Sequence, residues 1–115
     1  MSIKSERIAS IIKKNVSEIL NTEITNSNLG FVTVTDVTVT NDLSIAKIFV
    51  TFLDRRKSDK ANLEELNKVK GVVRSRLSKM LSIRKCPELI FQIDHSLDQG
   101  NRIEEIINNL NKGQN

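Results

Sequence analysis

Residues 63–94 read LEELNKVKGVVRSRLSKMLSIRKCPELIFQID, and the reading of this stretch decides the fold. Leu63, Leu66, Val69, Val73, Leu77, Met80 and Leu81 recur at steps of mostly three and four residues, which predicts helix with one apolar stripe facing a core. Gly71 interrupts the pattern. A glycine inside a helix costs roughly 1 kcal/mol relative to alanine, so it is expected to mark a bend or a close backbone approach. Pro87 ends any helical continuation, and beyond it Leu89, Phe91 and Ile93 alternate with Ile90, Gln92 and Asp94 as a strand does. Charge is concentrated in the same stretch. Between Leu66 and Pro87 there is no carboxylate, whereas Lys68, Lys70, Arg74, Arg76, Lys79, Arg84 and Lys85 supply seven cations. All 14 carboxylates lie elsewhere, so this segment accounts for the whole net charge of +4 and is where an anionic partner is expected.

Outward from that segment the pattern is equally regular. Ile8, Ile11, Ile12, Val16, Ile19 and Leu20 share one helical face, with Arg7, Lys13, Lys14 and Glu18 off it, which predicts an amphipathic helix over residues 3–23 capped by Ser2 or Ser5. Asn26, Ser27, Asn28 and Gly30 bring turn chemistry. Residues 31–39 then alternate with threonine as a strand, but Val32 and Val34 have the opposite parity to Val37 and Val39. A bulge near Thr35 and Asp36 restores all four to one face. Asn41 and Asp42 mark a tight connection to a second strand over residues 45–53, with Ala46, Ile48, Val50 and Phe52 inward. Phe31, Phe52 and Phe91 are expected in the core, and Phe49 on the opposite sheet face under the C-terminal segment. Residues 54–60 lack an apolar anchor and read as an exposed connection. Asn101 is expected to cap a last helix carrying Ile103, Ile106, Ile107 and Leu110.

The resulting order is α-β-β-α-α-β, an α+β class with a three-stranded sheet packed on helices. The expected organisation is one domain over residues 1–110 and a flexible tail over 111–115. Neither a signal-like apolar core nor a spanning stretch is present, so a cytoplasmic protein without membrane partners is expected. Cys86 is the single cysteine, and a disulfide framework is excluded within the chain. His95 is the single histidine, next to Asp94 on a strand and so directed to the opposite face. No phosphate loop, paired carboxylates or metal-ligand spacing appears, so no catalytic residue, metal, cofactor or small-molecule substrate is expected. With four Phe and no Tyr or Trp, an aromatic stacking platform is poorly supported.

The element order resembles a type II KH domain, and particular residues narrow the likeness. Gly71-Val72-Val73-Arg74, Leu77, Leu81, Arg84, Pro87-Glu88-Leu89, Phe91 and Asp94 resemble the C-terminal half of the ribosome-binding factor A family. Arg7-Ile8, Val32-Thr33-Val34-Thr35, Asp42-Leu43 and Ala46-Lys47 resemble its N-terminal half, so the likeness covers nearly the whole chain. It implies a monomeric, non-enzymatic factor of small-subunit assembly, partnered by the 30S subunit and 16S rRNA, supporting rRNA maturation and most important in the cold. It also implies a helix-kink-helix in place of the Gly-x-x-Gly loop. Where that family has Ala-x-Gly, this chain has Val69-Lys70-Gly71. The RNA-binding set expected from the likeness and the charge run is Lys68, Lys70, Gly71, Arg74, Arg76, Lys79, Arg84 and Lys85. On an uninterrupted helix Lys68, Arg76 and Lys79 share one flank and Arg74 the other, while Gly71 is expected to be the hinge. The same charge pattern also describes a solvated helix face or a module for acidic protein partners.

Overall fold

A computed structural model describes residues 2–22, 31–53, 58–81 and 85–98. The elements are α1 (Ile3–Thr22), β1 (Val32–Val39), β2 (Ile45–Phe52), α2 (Asp59–Lys68), α3 (Lys70–Met80), β3 (Glu88–Ile93) and a 3-10 turn (His95–Asp98). The order is the one expected. The last helix, the tail and the turn after α1 lie outside the described residues, as do residues 54–57.

β2 is the central strand, antiparallel to β1 and parallel to β3. A hairpin turn suffices for the first pairing, but a parallel pairing needs a crossover, and α2 with α3 supplies it. The bulge sits where the parity slip placed it: the register shifts between Val34 and Asp36, leaving Thr35 as the extra residue. Val32, Val34, Val37 and Val39 are consequently all buried, opposite Phe52, Val50, Ile48 and Ala46. Leu89 and Phe91 continue this face on β3. α1 packs over β1 and against α3, and α2 and α3 pack against β3. The core thus lies between one face of the sheet and three helices. α1 is capped by Ser2, whose Oγ accepts from the Ser5 N–H at 3.1 Å. Ser58 caps α2 in the same way, through the Ala61 N–H at 3.1 Å.

Three expectations about burial are corrected. Phe31 is 70% exposed, because it has the opposite parity to Val32 and precedes the strand. Ile11 sits at the margin of the α1 stripe and is 40% exposed. Met80 closes α3 at 42% exposure, while Leu81 turns into extended backbone and is buried. Asn62, which carried no expectation from sequence, is fully buried on α2. Phe49 is half-buried on the outer sheet face.

The bulge also ties the strands together chemically. The Thr35 hydroxyl reaches the Phe49 carbonyl on β2 and donates to the Asp94 carboxylate just past β3, and the Asp94 N–H donates to the Val50 carbonyl at 2.8 Å. Hydrogen bonds from Thr35 and then Ser96 hold the Asp94 carboxyl below the ordinary carboxylate range. A depressed carboxylate stabilises the fold above the unfolded pKa of about 3.9, and the contribution is lost as pH falls through the lower folded value. Asp94→Asn is therefore expected to lower the melting temperature at neutral pH and to narrow the gap to wild type below about pH 4. Thermal melts across pH 2–7 check it; a gap independent of pH contradicts it.

Candidate nucleic-acid interface

The helix break is at Val69, not at Gly71. Val69 has φ −99° and ψ 3°, and its N–H turns back to the Leu66 carbonyl at 3.1 Å, which ends α2 one residue before α3 begins. A β-branched residue is disfavoured inside a helix and is tolerated at such a junction, where Val69 packs half-buried against the core. Gly71 is then the second residue of α3. An added Cβ there meets nothing within 4 Å, and the backbone is not left-handed, so neither sterics nor conformation inside the chain calls for glycine. What remains is access from outside. Among the described residues no side chain caps the N-terminus of α3 and its first turn carries no acid, so its positive dipole end is not compensated by a side chain, and Gly71 and Val72 there are exposed.

Gly71→Ala, expected from the hinge reading to destabilise the fold or straighten the helix, is instead expected to raise stability by a few tenths to about 1 kcal/mol, since alanine is the better helix former. Binding of an anion against the backbone should weaken, because the methyl stands between them. Thermal melting and affinity measured on the same variant separate the two effects; a destabilised variant contradicts the open geometry.

The predicted cations among the described residues lie on two helices and on the chain entering β3. Lys79 and Arg76, three residues apart on α3, are exposed on one face, and their spacing is kept by the helix. Lys68 belongs to α2 and is separated from them by the break; its Nζ pairs with Glu65 Oε1 at 3.0 Å. Such an exposed pair holds a lysine only weakly, roughly 0.2–1 kcal/mol, so Lys68 remains able to exchange its partner. Lys70 is half-buried at the start of α3. Arg74 lies on the opposite flank and serves the fold: its Nε donates to the Pro87 carbonyl at 3.2 Å and Nη2 to the Cys86 carbonyl at 2.9 Å. These bonds clamp α3 to the chain entering β3. Lys85 is exposed just before that point, and Arg84 lies outside the described residues.

Among the described residues of this region none is arranged for covalent chemistry. Cys86 is buried, and burial pushes its thiol pKa up against a smaller opposite effect of Arg74, so it stays protonated at neutral pH. His95 is exposed in the 3-10 turn. Among the described residues no cluster of His, Cys, Asp or Glu could hold a metal, and no helix is long and apolar enough to cross a membrane. Besides the clamp made by Arg74, sequence reasoning missed Leu43, whose backbone is left-handed at φ 61°. Its signal was the Asn41-Asp42 turn dipeptide beside it.

Comparison with known proteins places the chain. The family model for ribosome-binding factor A matches residues 4–107. The ribosome-binding factor A of Macrococcus caseolyticus is 46% identical over 112 residues, covering 97% of this chain and 98% of the relative. A solution structure of a Thermotoga maritima protein assigned to ribosome-binding factor A aligns with TM-score 0.68 and 27% identity, over 80% of this chain and 88% of that one. A Thermus thermophilus ribosome-binding factor A model, fitted into a cryo-EM map of its 30S complex, shares the fold at TM-score 0.61 and 19% identity, over 76% of this chain and 91% of that one.

Proposed function

Because this chain belongs to the ribosome-binding factor A family, we propose that it is a non-enzymatic cytoplasmic factor that binds the immature 30S subunit. There it supports 16S rRNA maturation, most of all in the cold. The observation that carries the reading beyond family membership is the outward-facing start of α3. An uncapped helix N-terminus and the exposed cations Arg76 and Lys79 present positive potential on one short helix, and Gly71, with open space where a Cβ would be, leaves its backbone approachable. Phosphate contacts of this kind supply affinity and position without reading sequence, which suits docking on a folded RNA. The replacement of a Gly-x-x-Gly loop by a helix break also removes the clamp that KH modules place on single-stranded backbone. The factor then acts by binding one conformation of the subunit more tightly than others and shifting the population toward it.

The chain is expected to work as a single KH-like domain over residues 1–110, with Arg76 and Lys79 of α3 and Lys68 of α2 as its phosphate contacts. The test is recovery of the protein with small subunits from extract, with and without ribonuclease. Association that is abolished by ribonuclease supports the reading; association that survives it assigns the basic face to acidic protein partners.

A further inference from the structure

A cleft of about 640 Å³ opens between the β1–β2 turn and the chain entering β3, away from the Arg76 and Lys79 face. Its volume is in the range of sites that hold small ligands. The wall formed by the turn is rigid. Asp42 Oδ1 accepts from the Thr40 hydroxyl at 2.7 Å, the Ser44 hydroxyl at 2.7 Å and the Ser44 N–H at 3.1 Å. The Ser44 carbonyl in turn accepts from the Glu88 N–H at 2.9 Å, which fastens the turn to β3.

Leu43, at the apex, is the one described non-glycine residue with positive φ. Glycine or asparagine would adopt this backbone with less strain, so the leucine side chain has to be explained by what it covers. It is half-buried, packs on the core beneath and lines the cleft with Ile45. The facing walls are cationic. Arg74, which lines the cleft, uses two of its five N–H donors on the Cys86 and Pro87 carbonyls, and these bonds fix the guanidinium plane. Lys85 adds a second, exposed cation, and Glu88 is the one carboxylate of the lining.

An apolar floor next to a pre-set guanidinium and a lysine matches a planar base carrying a phosphate. Proteins hold unpaired nucleotides by contact with a base face, most often from an aromatic ring or a guanidinium, and by cations on the adjoining phosphate; here the aliphatic Leu43 and Ile45 take the ring's place. We propose that this cleft holds a single unpaired nucleotide of RNA, with its base over Leu43 and Ile45 and its phosphate at Arg74 and Lys85. The RNA is rRNA if the 30S reading holds, and the proposal rests on that reading only for the source of the nucleotide. It makes Arg74 both the clamp of the α3–β3 connection and a ligand group.

The experiment follows the full chain by NMR at low salt while a single-stranded pentanucleotide or adenosine monophosphate is added, with 30S binding measured in parallel. The pentanucleotide is expected to move the Leu43 methyl, Ser44 and Lys85 signals and to bind at least tenfold more tightly than the mononucleotide. Leu43→Gly keeps the turn backbone and removes the floor, and should weaken pentanucleotide binding about tenfold; Lys85→Gln, on the surface, should weaken it severalfold without affecting folding. Unmoved signals, or variants that bind as wild type, overturn the proposal. Equal affinity for the mononucleotide overturns the RNA assignment. Wild type that fails to bind 30S but binds the pentanucleotide in this cleft removes the 30S reading and leaves the cleft standing; normal 30S binding by both variants with unmoved signals does the reverse.

Discussion

Replacing Lys68, Arg76 and Lys79 together by alanine is expected to lower affinity for immature 30S subunits by roughly two orders of magnitude at low salt. Each charge-assisted contact to a phosphate is taken at about 1 kcal/mol, and about 3 kcal/mol in all corresponds to that factor. The salt dependence is the sharper readout. Each lost phosphate contact should reduce the slope of log K against log salt by about 0.7–0.9, so the triple variant should be flatter by roughly 2. The three side chains are exposed, and no stability loss beyond about 0.5 kcal/mol is expected from them. Titration of isolated subunits at several salt concentrations measures both quantities. Equal slopes for variant and wild type would place the RNA contacts elsewhere.

The largest effect on stability is expected for Leu77→Ala. Leu77 is fully buried on the inner side of α3, one turn from the equally buried Val73, and these two seat the helix on the rest of the core. Truncating a buried leucine removes its transfer energy and leaves a cavity, about 2–5 kcal/mol together, a large part of the ~5–15 kcal/mol that holds a domain of this size. The melting temperature should fall by roughly 10 °C or more. Binding should fall only as the folded population falls, since the cations on the outer side of α3 are untouched. Val72→Ala is the control on the same helix. Val72 is 48% exposed, and its truncation should move stability by no more than about 0.5 kcal/mol. Comparable losses for the two substitutions would mean that α3 is seated differently.

How much of this was legible in the sequence depends on the scale of the interaction. The bulge at Thr35 was legible because strand periodicity is two, so a single change of parity has only one local remedy that keeps four valines inside. The break at Val69 was displaced onto Gly71, since glycine is the stronger helix punctuator by propensity while the actual junction is fixed by packing. The role of Arg74 was not legible. Charge counting placed it with the other cations, and only the fold brings its guanidinium to two carbonyls 12 and 13 residues away. Strand order was open for the same reason, because neither hairpin nor crossover tells from local pattern which strand ends in the middle. Leu43 was hidden because leucine carries no signal for a left-handed backbone, and the hydrogen bonds around Asp42 impose it. Phe31 was misread by weighing hydrophobicity above parity, which already assigned it to the outer face.

The central claim is that this chain meets rRNA through the outward face and open N-terminus of α3. A cryo-EM map of its complex with immature 30S subunits tests this most directly. The account predicts rRNA phosphates within hydrogen-bond reach of Arg76 and Lys79 and close to the backbone at Gly71, with α1 and the sheet holding α3 in the position described. A map in which α3 faces solvent, while the chain attaches through ribosomal protein or through the outer face of the sheet, would contradict it.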